Sequence, residues 1–370
     1  MLDSWRALLL VLPLLSCGSR TEILSAATCA GPAPCADGTH WDPTPCVCVS
    51  DAVDAAVPSC AAEPGGTLVK LATGLSAPAC VAVDAQFVYW LDEGTYGGTD
   101  GAVKKVPLCG GAVVTLASTL PSPDALALDA TDVYWANGTG SAGAILKVAK
   151  SGGAVTTLAT PADASGLAVG GNYAYWGSIS TMEIFRVPVA GGATEVVVPG
   201  NDFEPGGELF LDGASVYFTN GAYMTGAVIA APADPTSGGA VVTLASARNT
   251  PQSVVVQGPL VYWMEAADDT GYLGNVMAVP VAGGALITIA AGEEINLEGL
   301  AFDASYVYWT NVSDVSVGNV MKAPLGGGAE VVVAAEQQEY PGSVAVDDTY
   351  VYWTTGPATG SIGSIVRMSK

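Results

Sequence analysis

Seven aromatic pairs divide most of the chain into units of nearly equal length. They recur at intervals of 45, 41, 42, 45, 46 and 44 residues. The pairs are Tyr89-Trp90, Tyr134-Trp135, Tyr175-Trp176, Tyr217-Phe218, Tyr262-Trp263, Tyr308-Trp309 and Tyr352-Trp353. A fixed period of this size is typical of repeat architectures, in which each unit buries its apolar surface against its neighbours. We therefore expect seven similar units rather than one central core.

Each unit contains four short segments with strand character. The first is apolar, as in residues 80–84, and the second carries the aromatic pair. The third follows a glycine-bearing loop, as in residues 318–325, and a Gly-Gly turn leads to the fourth, as in residues 112–117. β-Branched and aromatic residues bounded by Gly, Pro, Asp and Ser predict strands, and no long segment has a helical period. The sequence predicts an all-β fold.

The ends of the repeat array predict a closed ring. Units of about 40 to 45 residues with four strands match the blades of a β-propeller. A lone fourth-strand motif at residues 67–72 precedes the first unit, and the chain ends with a third strand at residues 364–369. We expect a seven-bladed β-propeller of four-stranded antiparallel blades, in which the N-terminal strand closes the last blade.

The residues that follow the aromatic pairs carry a family resemblance. Thr219-Asn220 and Thr310-Asn311 extend two pairs, Leu-Asp follows Trp90, and Thr-Thr follows Trp353. These units resemble the Tyr-Trp-Thr-Asp (YWTD) propeller repeats of the low-density lipoprotein receptor family and their bacterial secreted relatives. The resemblance covers residues 67–370 and implies a propeller. Receptor propellers of that family usually have six blades, so a six-bladed ring is the alternative.

The N-terminus has the features of an export signal. A charged start ending at Arg6 precedes an apolar run at residues 7–15, Ser16 and Cys17. Residues 14–17 resemble the lipobox of bacterial lipoproteins, which implies a signal peptide at 1–16 and a lipid on Cys17. Gly18 favours the outer membrane. We expect an exported, membrane-anchored lipoprotein, and ordinary secretion is the alternative.

Residues 17–66 form the anchor, a linker and a cysteine-rich collar before the propeller at 67–370. The collar is too short to build a core, so we expect disulfides to stabilise it. The candidates within it are Cys29, Cys35, Cys46, Cys48 and Cys60. The first four of these would form two bridges, with three pairings possible. A zinc site with His40 is the rival interpretation, which the oxidising compartment disfavours.

Three cysteines, Cys60, Cys80 and Cys109, lie beyond those four. In the propeller, Cys80 would begin an inner strand and Cys109 would lie in a hairpin at the opposite face, ~16 Å away. Bridged cysteines need Cα atoms within about 7 Å. We therefore expect a Cys60–Cys109 disulfide and a buried free Cys80.

The charge balance excludes one class of partner. The chain has 35 acidic and 12 basic residues, a formal charge of -23. Nucleic-acid binding requires clustered Lys and Arg, so nucleic acid is not a partner. Half of the residues are apolar, which is enough for a well-packed fold.

Residues that recur in most units are expected to build blades. The Tyr and Trp side chains can fill the space between neighbouring sheets. An Asp ends five of the seven first strands, where its side chain can accept hydrogen bonds from the turn. These residues are Asp84, Asp129, Asp212, Asp303 and Asp347. The Gly-Gly pairs permit the positive φ angles of tight hairpins.

Residues that occur once lie mainly in the second-to-third-strand loops and the connections between blades. In a propeller both emerge on one face. We count seventeen acidic residues and one base, Arg248, in these segments, and place most other bases on the outer strands. The binding candidates are Asp92, Glu93, Asp100, Asp202, Glu204, Glu265, Asp268, Asp269, Glu293 and Glu294.

Clustered carboxylates also suit Ca²⁺, which takes six to eight oxygen ligands. The calcium candidates are Asp92, Glu93, Glu265, Asp268 and Asp269, although no spacing matches a defined calcium loop. The alternative is that these acids are solvated loop charges that keep an exported protein soluble.

The sequence favours a binding module over an enzyme. His40, the single histidine, lies in the collar, so a catalytic Ser-His-Asp or Cys-His set within the propeller is excluded. The favoured function is a non-catalytic scaffold whose acidic face binds a protein, peptide, glycan or cation. The alternative is a calcium-dependent hydrolase similar to propeller lactonases, with Glu208, Asn296 and Glu298 as candidate ligands. A structural role without a discrete ligand is a third option.

Overall fold

The computed structural model describes most of the propeller and part of the collar. The described residues are 39–42, 47–50, 60, 66–95, 97–137, 143–161, 163–178, 180–200, 205–221, 224–267, 273–293, 295–314, 317–337, 340–356 and 362–370. Side chains are described for these except at 39–42, 47–50, 205–208, 293, 295–298, 312–314, 317, 336 and 337. Within the described residues, no helix is long and apolar enough to cross a membrane.

Twenty-eight strands form seven four-stranded antiparallel sheets, and two more form a separate hairpin in the collar. The hairpin pairs β1 (Thr39–Asp42) with β2 (Val47–Ser50), in a region where the sequence shows no sustained period. One strand precedes the first complete blade, namely β3 (Val69–Leu75).

Six blades use their strands in chain order from the inside outward, and the seventh takes β3 as its outermost strand. The first strands are β4 (Pro78–Val83), β8 (Pro123–Leu128), β12 (Ala164–Gly170), β16 (Pro205–Asp212), β20 (Gln252–Gln257), β24 (Ile295–Phe302) and β28 (Tyr340–Val346). The second strands are β5 (Phe87–Asp92), β9 (Asp132–Asn137), β13 (Tyr173–Ser178), β17 (Ser215–Asn220), β21 (Leu260–Ala266), β25 (Tyr306–Asp314) and β29 (Tyr350–Gly356).

The third and fourth strands complete the blades. The third strands are β6 (Gly101–Pro107), β10 (Ala144–Ala149), β14 (Glu183–Pro188), β18 (Gly226–Pro232), β22 (Gly274–Pro280), β26 (Val317–Pro324) and β30 (Gly363–Ser369). The fourth strands are β7 (Val114–Leu120), β11 (Thr156–Ala159), β15 (Glu195–Val198), β19 (Val242–Arg248), β23 (Ile287–Glu293) and β27 (Val331–Gln337). A 3₁₀ turn, Pro235–Ser237, precedes β19.

The blades close into a ring of seven, as the sequence predicts. The innermost strands contact one another in order, and β28 of the last blade contacts β4 of the first. The seventh sheet has the order β28-β29-β30-β3, so the N-terminal strand completes it. Val69 pairs with Arg367 and Leu75 with Gly363. The seven-bladed prediction is confirmed, and the six-bladed alternative is wrong.

The recurring aromatic residues fill the spaces between blades. Six second-strand Trp side chains are at most 2% exposed, and Phe218 takes that place in the fourth blade. Each core cluster combines residues of two neighbouring sheets, as where Trp90 packs with Tyr352 of the last blade. Burial of such large apolar side chains on both faces of every sheet holds the ring together without a common centre.

The Asp that ends a first strand stabilises its turn in two ways. Asp303 Oδ1 accepts hydrogen bonds from the backbone N–H groups of Ser305 and Tyr306, both at 2.8 Å. Asp303 Oδ2 accepts the Tyr308 hydroxyl at 2.7 Å. Burial alone would raise the pKa of Asp303, but hydrogen bonds from Lys370, Tyr308 and the turn backbone lower it to about 2.

The same arrangement recurs in three other blades. The Tyr hydroxyl reaches the Asp carboxylate at 2.6 to 2.9 Å in each of them. The pairs are Tyr89 with Asp84, Tyr134 with Asp129, and Tyr352 with Asp347. The turn-forming role predicted for these aspartates is confirmed, and the Tyr hydroxyl is a partner that the sequence analysis missed.

Most basic residues lie on the third strands and not on the outer strands, which corrects the placement expected from sequence. Lys104, Lys105, Lys147, Arg186, Lys322 and Arg367 all lie there, and Lys70 is on an outer strand. Several link one blade to the next. Arg186 stacks on Tyr173 with 4.2 Å between its Cζ and the ring centroid, and donates to the Ala233 carbonyl of the following blade at 2.9 Å.

The ring closure carries a disulfide. Cys60 is bonded to Cys109, with 4.9 Å between their Cα atoms, which confirms the predicted pair. Cys109 lies in the turn after β6, so the bond joins the segment before β3 to the first blade. Arg367 donates to the Leu108 carbonyl at this seam.

Cys80 corrects one expectation. It is buried, at 1% exposure, but it is disulfide-bonded rather than free. Its partner is not among the described side chains, since Cys60 and Cys109 are bonded to each other. The expected absence of a Cys80–Cys109 bond is confirmed, whereas the expected free thiol at Cys80 is wrong. The pairings of Cys29, Cys35, Cys46 and Cys48 lie outside the described side chains.

Candidate functional site

We call the two faces of the ring the loop face and the turn face. On the loop face, second strands end and third strands begin. The turn face carries the Asp-Tyr turns and the Gly-Gly hairpins, such as Gly110 and Gly111 with φ angles of 84° and 135°. The sequence-predicted site belongs to the loop face.

A ring of polar side chains lies just beneath the loop face. In every blade, the residue two positions after the Trp or Phe is polar and at most 9% exposed. These residues are Asp92, Asn137, Ser178, Asn220, Glu265, Asn311 and Thr355. The position is therefore uniformly buried, while its side chain is an acid, an amide or a hydroxyl depending on the blade.

Both carboxylate oxygens of Asp92, a predicted calcium ligand, are bonded to protein groups. It is 2% exposed, and its Oδ1 accepts the indole N–H of Trp90 at 2.9 Å. Its Oδ2 forms an ion pair with Lys104 on the adjacent third strand. These contacts give Asp92 a role in packing the first blade.

Glu265 has the equivalent role in the fifth blade. Its Oε2 accepts the Trp263 indole N–H at 2.8 Å, and its Oε1 lies 3.3 Å from Arg248 Nη1. Burial raises the pKa of Glu265, and the contacts with Trp263 and Arg248 oppose that rise in part. Arg248, the single base assigned to this face from sequence, is therefore paired with a buried acid.

Glu93 and Asp100 lie on either side of the first loop. Glu93 is half-buried, and its backbone N–H donates to Ala77 at 3.1 Å. Asp100 is exposed, and it accepts hydrogen bonds from Thr95 N and Oγ1 at 2.8 and 2.9 Å. These bonds lower the pKa of Asp100, so this carboxylate stays ionised in the loop.

The other predicted site residues are not brought together by the described structure. Asp202, Glu204, Asp268, Asp269 and Glu294 lie outside the described residues. Glu293 ends β23, where its backbone pairs with Gly274. The described residues contain no group of three or more His, Cys, Asp or Glu that could hold a metal. The calcium site stays a prediction.

The candidates for the hydrolase alternative lie in irregular parts of inner strands. β16 has a register shift between Pro205 and Leu209, a stretch that contains Glu208. β24 has one between Ile295 and Leu300, a stretch that contains Asn296 and Glu298. Such shifts occur at the loop-face end of all seven inner strands. Bulges of this kind re-aim side chains at barrel rims and beside active sites.

The loop of the third blade contains contacts that the sequence analysis missed. Asp163 Oδ1 accepts the Ser178 hydroxyl at 2.8 Å, and Asp163 Oδ2 accepts the backbone N–H of Ser180. Ser178 Oγ in turn accepts the backbone N–H of Thr181 at 3.3 Å. This network fixes the loop that leads to Met182, an exposed apolar residue. A prediction based on charged residues does not identify Met182, because its side chain carries no charge.

Comparisons with known proteins found two similar solved structures. The chain is similar to a streptogramin B lyase, with a TM-score of 0.58 and 12% identity, over 81% of this chain and 97% of that chain. It is also similar to a chain of a nidogen–laminin complex, with a TM-score of 0.46 and 20% identity, over 60% of this chain and 85% of that chain. No family model and no curated protein matches it. At these identities the similarity shows the fold alone, and the chain is a β-propeller.

Proposed function

We propose that this protein is an exported, non-catalytic scaffold that binds a cationic ligand, such as a basic peptide segment, through its loop face. The supporting observation is the separation of charge between the two faces. Residues 67–370 carry 28 acidic and 10 basic residues. Seventeen of the acids fall in the loop-face segments, and Lys104 and Arg248, which reach that face, are paired with buried acids.

The bases of the turn face are also neutralised locally. Lys150 pairs with Asp84, Lys147 with Asp132, and Lys370 with Asp303, at 3.0, 3.2 and 2.7 Å. The unpaired excess of negative charge therefore belongs mainly to the loops. Such a face attracts cations over long range and raises the rate at which basic partners arrive.

The proposal is tested with a ten-residue lysine peptide and the chain from residue 17 onward carrying Cys17→Ser, which keeps every described residue. The loop-face variant is Glu93→Gln, Asp100→Asn and Glu183→Gln. The matched turn-face control is Asp212→Asn, Glu330→Gln and Asp348→Asn, which removes the same charge. We expect the loop-face variant to lower the affinity roughly tenfold, since each ion pair lost at a solvent-accessible position costs about 0.2–1 kcal/mol.

Titration calorimetry at low and high salt measures the effect. The control should bind like the parent protein, and added salt should weaken both. Equal losses in the two variants would mean that the peptide responds to net charge alone, which contradicts a loop-face site.

We further propose that Cys17 carries the lipid that anchors the protein to the bacterial outer membrane, and that the repeats are YWTD-like. The lipobox-like residues 14–17 support the first part. Cysteine parity gives a test. The chain has eight cysteines, so a lipid on Cys17 leaves seven, an odd number. We expect one free thiol under denaturing conditions, together with the acyl mass on the Cys17 peptide. Zero free thiols and an unmodified Cys17 peptide would exclude the anchor.

A further inference from the structure

Two exposed methionines lie on the loop face of neighbouring blades. Met182 is 37% exposed and Met224 is 54% exposed. They lie immediately before the third strands of the third and fourth blades, which are neighbours because β12 contacts β16. Among the described loop-face residues, Ile362 is the other large exposed apolar side chain, and it belongs to the seventh blade across the ring.

Both methionines adopt a backbone conformation that L-residues with long side chains rarely use. Their φ angles are 58° and 56°, in the left-handed region. The cost of this conformation must be met by surrounding contacts that hold the loop. In this backbone conformation both methionine side chains are exposed to solvent.

The contacts that hold Met182 come from its own blade. The network of Asp163, Ser178 and Thr181 fixes the loop from one side. Gly200 lies close to the other side of this loop. A Cβ at this position would lie 2.6 Å from the Thr181 carbonyl oxygen, so the close approach requires glycine. Met224 is held differently: its backbone N–H donates to Asn249 Oδ1 at 3.3 Å. A contact surface held in place before binding loses little entropy when a partner arrives.

Two acidic residues lie near Met182 in the third blade. Glu183 follows it in the chain, and Asp163 accepts the backbone N–H of Ser180 in the same loop. Both acids are half-buried. Apolar contact points bordered by carboxylates complement a ligand that carries both positive charge and apolar side chains.

The third blade also contains an unsatisfied donor below this surface. Trp176 is 2% exposed, and its indole N–H has no hydrogen-bond partner among the described groups. In the first, second and fifth blades, the residue two positions on accepts this proton. In the third blade that residue is Ser178, whose hydroxyl donates to Asp163 instead. A buried donor without an acceptor calls for a water or an added ligand group. Trp309 and Trp353 of the sixth and seventh blades have the same need, so this donor is compatible with a ligand at the third blade without being specific to it.

We infer that Met182 and Met224 are the apolar contact points of the loop face, and that the ligand is a cationic peptide segment with interspersed apolar residues. The inference rests on the proposed function and narrows its ligand class. Methionine suits this use because its flexible thioether side chain adapts to different apolar partners. Charge brings the ligand to the face, and the methionine pair selects among basic ligands.

The experiment compares two ten-residue peptides of equal charge, one alternating Lys and Leu and the other alternating Lys and Ser. We expect the Lys-Leu peptide to bind the Cys17→Ser chain about tenfold more tightly, because partial burial of two methionines and the leucines adds apolar contact. Met182→Ser with Met224→Ser should remove this preference and leave Lys-Ser binding unchanged. Ile362→Ser on the same face, and Val114→Ser with Val242→Ser on outer strands, are the matched controls.

A second measurement does not depend on the variants. The Lys-Leu peptide should slow the oxidation of Met182 and Met224 by hydrogen peroxide, measured by mass spectrometry, and the Lys-Ser peptide should slow it less.

The outcomes separate the two proposals. If Lys-Ser binds and Lys-Leu binds no better, the methionine inference is wrong and the acidic-face function stands. If Ile362→Ser removes the preference as fully as the methionine pair does, the inference is also overturned. If neither peptide binds, both proposals fail.

Discussion

The contacts at one end of the second strand are alike in several blades, whereas those at the other end differ from blade to blade. At the turn face, four blades repeat the same contact between a Tyr hydroxyl and an Asp that also accepts two backbone N–H groups. At the loop face, the residue two positions after the aromatic differs between blades, with acidic, amide and hydroxyl side chains all present. The repeated contacts at the turn face stabilise each blade. The loop-face side chains can vary without disrupting the blade, so this end is the one at which a binding surface can evolve.

The largest effect is expected at the ring closure on the turn face. Cys60→Ser with Cys109→Ser removes the disulfide between the segment before β3 and the first blade. We expect a loss of roughly 3–4 kcal/mol in the free energy of unfolding, because a loop of this length costs substantial entropy to close. Urea unfolding measures it. A loss below 1 kcal/mol would mean that β3 is held by its pairing alone.

The next largest effect is expected from loss of an Asp-Tyr contact at the turn face. Asp347→Ala removes the acceptor for Thr349 N, Tyr350 N and the Tyr352 hydroxyl. We expect about 2–3 kcal/mol of destabilisation from these three hydrogen bonds, measured by thermal and urea unfolding. Asp348→Ala at the exposed neighbouring position is the control and should change stability by less than about 0.5 kcal/mol. Similar losses in both variants would contradict the role given to Asp347.

The pH dependence of stability should have opposite signs at the two ends. Because Asp303 has a pKa of about 2, its stabilising contribution is present above the usual Asp value of about 3.8 and is lost as pH falls toward 2. Glu265 has a raised pKa, so its contribution is fully present below the usual Glu value of about 4.5 and is lost as pH rises through the raised value.

Two isosteric variants separate these contributions. The destabilisation caused by Asp303→Asn should shrink between pH 4 and pH 2. The unfolding free energy of Glu265→Gln relative to the parent protein should increase from pH 4 to pH 7. Calorimetric unfolding across this range measures both. A Glu265→Gln difference that falls with pH would show that the Arg248 pair outweighs burial.

The smallest effect is expected at the loop-face end of a second strand, where a buried indole N–H lacks an acceptor. The Trp353 indole N–H is buried without a partner among the described groups, and Thr355 lies two positions on. In the second blade, Asn137 accepts the equivalent proton at 3.1 Å. Thr355→Asn should therefore stabilise the protein by roughly 0.5–1.5 kcal/mol in urea unfolding, and Thr355→Val should not. Equal stability in the two variants would show that the site does not need an acceptor.

The sequence predicts the uniform features of this fold well because repetition makes them visible. The spacing of the aromatic pairs gives seven blades, and the motif at residues 67–72 gives the closing strand. The turn role of Asp84 follows from its position after an apolar strand. The Cys60–Cys109 pair follows from the same topology.

The loop face was predicted less completely because its contacts are made between side chains that no period relates. Asp92 and Glu265 were selected for their charge, but the structure pairs them with Trp, Lys and Arg groups. Met182 carries no charge, so a prediction based on charged residues does not identify it. The bond at Cys80 joins residues that no sequence period relates, so the repeat pattern does not predict it.

The pairing of β3 with β30 has a consequence for the order of folding. These strands come from opposite ends of the propeller sequence, so the final sheet cannot form until the last segment of the chain has been made. Contacts of such long sequence separation slow folding. The circle therefore closes as a late step, and chains truncated before β30 would keep an open gap between the first and last wedges.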